Sequence, residues 1–91
     1  MKSLQIIIVY NEKHDENSEK WLNLNLQDMV WSLNNVLKRN NDASSSAIFE
    51  TGKVVLDVEG ADRATVEPYM VSFLSSMERE GFNLTLTYRE I

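Results

Sequence analysis

The chain has 91 residues, of which 43% are apolar and 25% charged, values typical of one small folded domain spanning residues 1–91. It has no cysteine, which excludes a disulfide framework, a thiolate metal site and a thiol nucleophile. The net charge of −5 predicts repulsion from phosphate, so we expect no direct binding to nucleic acid or to anionic membranes.

The first predicted element is a β-strand from Leu4 to Tyr10. Apolar residues occupy both of its alternating sides, which favours a central position in a sheet. The apolar run is too short for a signal sequence and far too short to cross a bilayer. We therefore predict a cytoplasmic protein that does not enter membranes.

Residues 11–20 are polar and hold the single histidine, His14, among several acids. Contiguous residues of a loop seldom converge on a metal, and no second histidine is present to complete a site. We therefore predict no metal site, and interpret the segment as a solvated loop that can also serve as a contact. The alternation in residues 21–26 predicts either a short strand or an extended lead-in.

The first helix is predicted to begin with Asn25 as its N-cap, where Leu24 and Met29 are spaced as a hydrophobic staple. It ends at residues 38–42, with an asparagine as left-handed cap. Trp31 lies about half a turn from the apolar stripe. It is therefore either an exposed partner-binding residue or covered by residues 11–24, and the sequence favours neither.

After a linker at residues 42–46, two strands are predicted at Ala47–Glu50 and Lys53–Glu59, joined by a tight turn. A second helix follows, capped by Asp62 or Thr65, with Pro68 in its first turn.

Gly81 is predicted to end the second helix, with Phe82 packing back against it. A final strand is predicted at Asn83–Arg89. The order is then βαββαβ, which predicts an α+β, ferredoxin-like two-layer sandwich. Its antiparallel sheet has strands one and three in the middle and both helices on one face.

In this fold one face of the sheet has no helix over it, and we call it the open face. Its central part is predicted to carry Ile7, Val9 and Val55, with Asp57 and Glu59 at the rim. RNA-binding sheets of this type present aromatic and basic residues instead. An aliphatic patch with acidic flanks predicts a protein partner or a second copy in a homodimer.

No phosphate-binding glycine loop, nucleophile elbow or histidine pair is present, so we predict a protein that is not an enzyme and needs no cofactor. Residues 51–91 carry seven acidic residues against four basic ones. Our first hypothesis is an acidic module that inhibits or regulates a partner protein. In one version Asp57, Glu59, Glu78 and Glu80 mimic nucleic acid and occupy a basic DNA-binding surface.

Two alternatives remain. One is a small-molecule-sensing domain of the ACT type, although the turn after the first strand lacks the glycine that such domains usually need. The other is a small enzyme subunit.

Overall fold

The computed structural model of the chain describes residues 3–10 and 15–90. Six elements follow the predicted βαββαβ order: β1 Ser3–Val9, α1 Glu16–Asn41, β2 Ser44–Glu50, β3 Lys53–Glu59, α2 Arg63–Arg79 and β4 Thr85–Glu90. The four strands form one antiparallel sheet in the order β2-β3-β1-β4. The predicted ferredoxin-like α+β fold is therefore confirmed.

One core fills the space between the sheet and the helices. Strand β1 alternates along its length, with Leu4, Ile6 and Ile8 buried and the residues between them only half-buried. Strand β3 alternates in the same way, which places its aspartate and glutamate on the side away from the core. The helices contribute Leu22, Leu26, Leu33, Leu37, Val66, Met70 and Met77 to the core. No described polar or charged residue is buried.

Helix α1 begins ten residues earlier than the sequence predicts. Its N-cap is Asp15, whose side chain accepts a hydrogen bond of 2.8 Å from the backbone N–H of Ser18. Asn25 lies inside the helix and donates its side-chain N–H to the carbonyl oxygen of Trp21. The predicted N-cap at Asn25 and the predicted strand or lead-in at residues 21–26 are therefore wrong.

The error has a physical reason. Leu22 and Leu26 are four residues apart, a spacing that fits one face of a helix as well as one face of a strand. Both are fully buried, whereas Leu24 between them is 61% exposed. Leu24 would have shared the buried face if the segment were extended.

Strand β2 begins at Ser44, so most of the predicted linker is part of the sheet. Ser46 pairs with Asp57 of β3, and the N–H of Ser45 donates a 2.9 Å hydrogen bond to the side chain of Asn34 on α1. Tertiary pairing thus outweighs the low strand propensity of serine. The left-handed cap of α1 is Asp42, with φ of 52°, rather than an asparagine.

Helix α2 is capped by Asp62, one of the two predicted residues, whose carboxylate accepts hydrogen bonds from the N–H and the hydroxyl of Thr65. Pro68 is the sixth helical residue, so the prediction that it lies in the first turn is wrong. A proline there removes one intrahelical hydrogen bond, to the carbonyl of Ala64.

The end of α2 is formed as predicted. Gly81 has φ of 91°, and the N–H of Phe82 donates to the carbonyl of Met77 at 2.9 Å. Phe82 is buried. Strand β4 then begins at Thr85, two residues later than predicted.

Candidate protein-interaction surfaces

The open face carries a continuous row of aliphatic side chains across three strands. Ile7 of β1 pairs with Val55 of β3, and Val55 pairs in turn with Ile48 of β2. Thr87 of β4 pairs with Ile7 on the other side and completes the row. Ile7 and Val55 are half-buried by their neighbours, whereas Ile48 is 59% exposed. The structure therefore places Ile7 and Val55 side by side and adds Ile48 to the same surface.

Ile48 was missed because its strand was predicted to begin at Ala47, which left too little alternation to assign its faces. The pairing of Ser46 with Asp57 fixes the register and puts Ile48 on the open face. Val9 lies on the same face near the end of β1, opposite Lys53.

A polar row lies beside the aliphatic one. Gln5 of β1 pairs with Asp57 on one side and with Arg89 of β4 on the other. The side-chain N–H of Gln5 donates a 3.3 Å hydrogen bond to the carboxylate of Asp57. The open face is therefore acidic on its β3 side and basic on its β4 side, with a neutral residue between.

The four acids of the nucleic-acid-mimic hypothesis do not come together. Glu59 pairs with Ser3, at the beginning of β1. Glu78 and Glu80 lie at the end of α2, and the strand that follows them starts opposite Val9, at the other end of β1. A seven-residue strand spans roughly 20 Å. One pair of acids thus lies on the sheet and the other at the far end of the helical layer.

Trp31 lies on the outer surface of α1 and is 71% exposed. Residues 16–24 continue the same helix instead of folding over it, so the alternative that residues 11–24 cover Trp31 is wrong for the described part of that segment. Leu24, seven residues earlier and on the same side of the helix, is also exposed. The other tryptophan, Trp21, stacks instead on Phe82.

A groove of about 340 Å³ separates the two helices on the side away from the sheet. Its floor is apolar and includes Met29, Leu33, Tyr69 and Phe73. Its polar lining consists of Asn25, Asp28, Ser32, Ser72 and Ser76. The helical spacing of the apolar residues is visible in the sequence, but the groove depends on how the two helices pack together, which that spacing does not specify.

A second depression lies where β1 ends, between Tyr10, Asn23 and Phe49. The hydroxyl of Tyr10 donates to the side-chain oxygen of Asn23 at 3.5 Å, a long contact. Burial, and to a smaller extent the carboxylate of Glu19, raises the pKa of Tyr10 above its usual value. The predictions about His14 and the glycine-free turn concern residues 11–14, which lie outside the described residues.

No group of three or more histidine, cysteine, aspartate or glutamate side chains in residues 3–10 and 15–90 is arranged to hold a metal ion. None of the helices within these ranges is long and apolar enough to cross a membrane.

A comparison with models of known protein families found no match, and a comparison with curated proteins found no similar sequence.

Proposed function

We propose that this protein is a non-catalytic module that binds another protein through its open face, and that it inhibits or regulates the protein it binds. The observation that carries this proposal is the row of Ile48, Val55 and Ile7, which crosses three strands without a helix over it. A contiguous aliphatic surface on a small domain is typical of an interaction site.

The energetics favour covering this row. Complete burial of one aliphatic side chain contributes about 1.5–3 kcal/mol relative to full exposure. Ile48 keeps more than half of its surface exposed, and Ile7 and Val55 are only half-buried. A partner that covers all three would therefore gain a hydrophobic contribution that the isolated chain does not use.

The shape of the face supports binding rather than catalysis. An enzyme site needs a concave pocket in which a few polar groups converge. The open face belongs to a four-stranded sheet, and its ionisable groups are spread along the strands. Asp57 and Arg89 lie on opposite sides of β1, with Gln5 between them.

The nucleic-acid-mimic version of this function is restricted by the geometry. Asp57 lies in the row next to the aliphatic one and Glu59 in the row after it, so a basic partner seated on the aliphatic row would meet both. Glu78 and Glu80 belong to the helical layer, so they would contact a different part of that partner or none of it. Contact through the aliphatic row is therefore the primary element of the proposal.

The test compares immobilised wild-type protein with two variants that add the same charge in different places. Val55→Glu puts a carboxylate in the middle of the aliphatic row, and Ala64→Glu puts one on the exposed surface of α2. We expect Ala64→Glu to retain the same proteins from a cell extract as the wild type, and Val55→Glu to lose them.

Circular dichroism must show both variants folded, because neither position is in the core. Ile8→Glu supplies the contrast, since Ile8 is fully buried and an unpaired charge there should unfold the chain. Equal retention of the same proteins by folded Val55→Glu and by the wild type would contradict the proposal.

A further inference from the structure

The open face carries a negative charge on one side of its central strand β1 and a positive charge on the other. Asp57 lies on one side of β1 and Arg89 on the other, both opposite Gln5 in the same row. Two strand spacings separate their backbones by roughly 9–10 Å. The Asp57 carboxylate accepts the hydrogen bond from Gln5, but within the described residues neither Asp57 nor Arg89 forms an ion pair, so neither charge is neutralised by an opposite one.

We propose that the open face binds a second copy of this chain, face to face, about a two-fold axis that runs parallel to the strands between β1 and β3. This inference rests on the proposed function, because it names the partner of the same surface. The rotation preserves the position of each row along the strands while it exchanges β1 with β3 and β2 with β4.

The aliphatic rows then meet each other. Ile7 of each copy lies over Val55 of the other, and Ile48 lies over Thr87. Facing sheets pack about 10 Å apart, a distance that such side chains fill. The most exposed aliphatic residue of the face is thereby covered.

The polar rows are complementary in the same arrangement. Arg89 of the second copy lies over Ser46, one strand away from Asp57. That lateral offset of roughly 4.8 Å is within the reach of an arginine side chain. The two-fold axis repeats the contact, so each dimer gains two Asp57–Arg89 pairs, which outnumber the single approach of the two Asp57 carboxylates at the same lateral offset across the axis. The nearby charges of Lys53 and Glu50 already pair within the chain at 3.3 Å.

The size of the face indicates a reversible dimer. Four strands of up to seven residues present an area of roughly 19 Å by 23 Å. This area, roughly 440 Å² per copy, is about half of what a standard specific interface buries on each partner and lies in the range of weak, transient complexes. We therefore expect the monomer and dimer to interconvert with concentration.

The experiment uses Asp57→Arg and Arg89→Asp, first separately and then mixed. In either variant alone, both intermolecular pairs become like-charged, so we expect the dissociation constant of the dimer to rise by about tenfold or more. In the equimolar mixture each pair again joins opposite charges, so a heterodimer should form. Sedimentation velocity measures the association, and native mass spectrometry identifies the heterodimer by its mass.

The matched control is Arg79→Asp, which makes the same charge change at the exposed end of α2 and should leave dimerisation unchanged. Two results would overturn the proposal: wild-type protein that stays monomeric up to about 1 mM, or a mixture that associates no better than the separate variants. If wild-type protein is monomeric while Val55→Glu still loses the proteins retained from the extract, the second copy is excluded and the proposed function stands.

Discussion

Trp21 of α1 and Phe82, which follows α2, stack with their ring centroids 5.3 Å apart and their planes 11° apart. The contact joins the beginning of one helix to the end of the other. Stacked aromatic pairs contribute about 0.5–1.5 kcal/mol beyond the burial of their area. This pair therefore stabilises the fold, in contrast to the exposed Trp31.

The two tryptophans should respond differently to truncation. We expect Trp21→Ala to lower the free energy of unfolding by about 2–3 kcal/mol, because it removes the stacking and part of the apolar cover of Phe82. Trp31→Ala should change it by less than about 0.5 kcal/mol, because Trp31 is 71% exposed. Urea unfolding measures both. Equal losses of stability in the two variants would contradict the exposed position of Trp31.

Two glycines with positive φ offer a second comparison. Gly81 has φ of 91° and open space around an added Cβ, so Gly81→Ala should cost only the backbone strain of about 1–2 kcal/mol. Gly60 has φ of 85°, and an added Cβ would lie 3.2 Å from the Cβ of Ala43. Gly60→Ala should therefore cost more than Gly81→Ala in urea unfolding. The reverse order would contradict the close approach of Gly60 to Ala43.

The bond between Asn34 and Ser45 ties α1 to the edge strand β2. Asn34→Ala leaves the half-buried N–H of Ser45 without its 2.9 Å acceptor, and we expect a loss of about 1 kcal/mol. Amide hydrogen exchange at Ser45 should accelerate. Asn34→Asp keeps a side-chain oxygen as acceptor and should retain slow exchange. Unchanged exchange in Asn34→Ala would show that this bond does not hold the strand.

Stability at high pH should depend on Tyr88. Burial raises its pKa above 10, the carboxylate of Glu67 raises it further, and the Arg63 guanidinium, 4.4 Å from the ring centre, opposes the increase. The folded state therefore binds the proton more tightly than the unfolded state does. This contribution is complete below a pH of about 10 and is lost as the pH rises through the folded pKa.

Tyr88→Phe should weaken the decline of stability above a pH of about 10, because phenylalanine has no proton to lose. Urea unfolding across this range, followed together with tyrosinate absorbance, measures the effect. If the stability of Tyr88→Phe declined with pH as much as that of the wild-type protein, the decline would arise from groups other than Tyr88.

The sequence predicted the element order because each strand and helix has a distinct apolar period. The start of α1 was not predictable in this way, since Leu22 and Leu26 fit both periods. Strand β2 was shortened because its first three residues are serines, whose pairing depends on β3 rather than on their own propensity.

Part of the candidate site was likewise predictable from the sequence, and part was not. Ile7 and Val55 were predictable, because alternation alone assigns their face. The alignment of Asp57, Gln5 and Arg89 depends on the register of three strands that are distant in the sequence. Alternation assigns a face to each strand, but the pairing partner and the offset between strands distant in the sequence are fixed only when their buried faces pack together.

The most direct test of binding through the open face is methyl NMR on protein labelled at isoleucine, leucine and valine. The labelled protein is titrated with the protein that the immobilised wild-type chain retains from a cell extract. We predict that the methyl signals of Ile7, Ile48 and Val55 shift or broaden, because the retained protein covers the open face. Leu24 and Val71, which are exposed on the helical layer, should keep their signals. Changes confined to Leu24 and Val71, with the three open-face residues unaffected, would contradict the account.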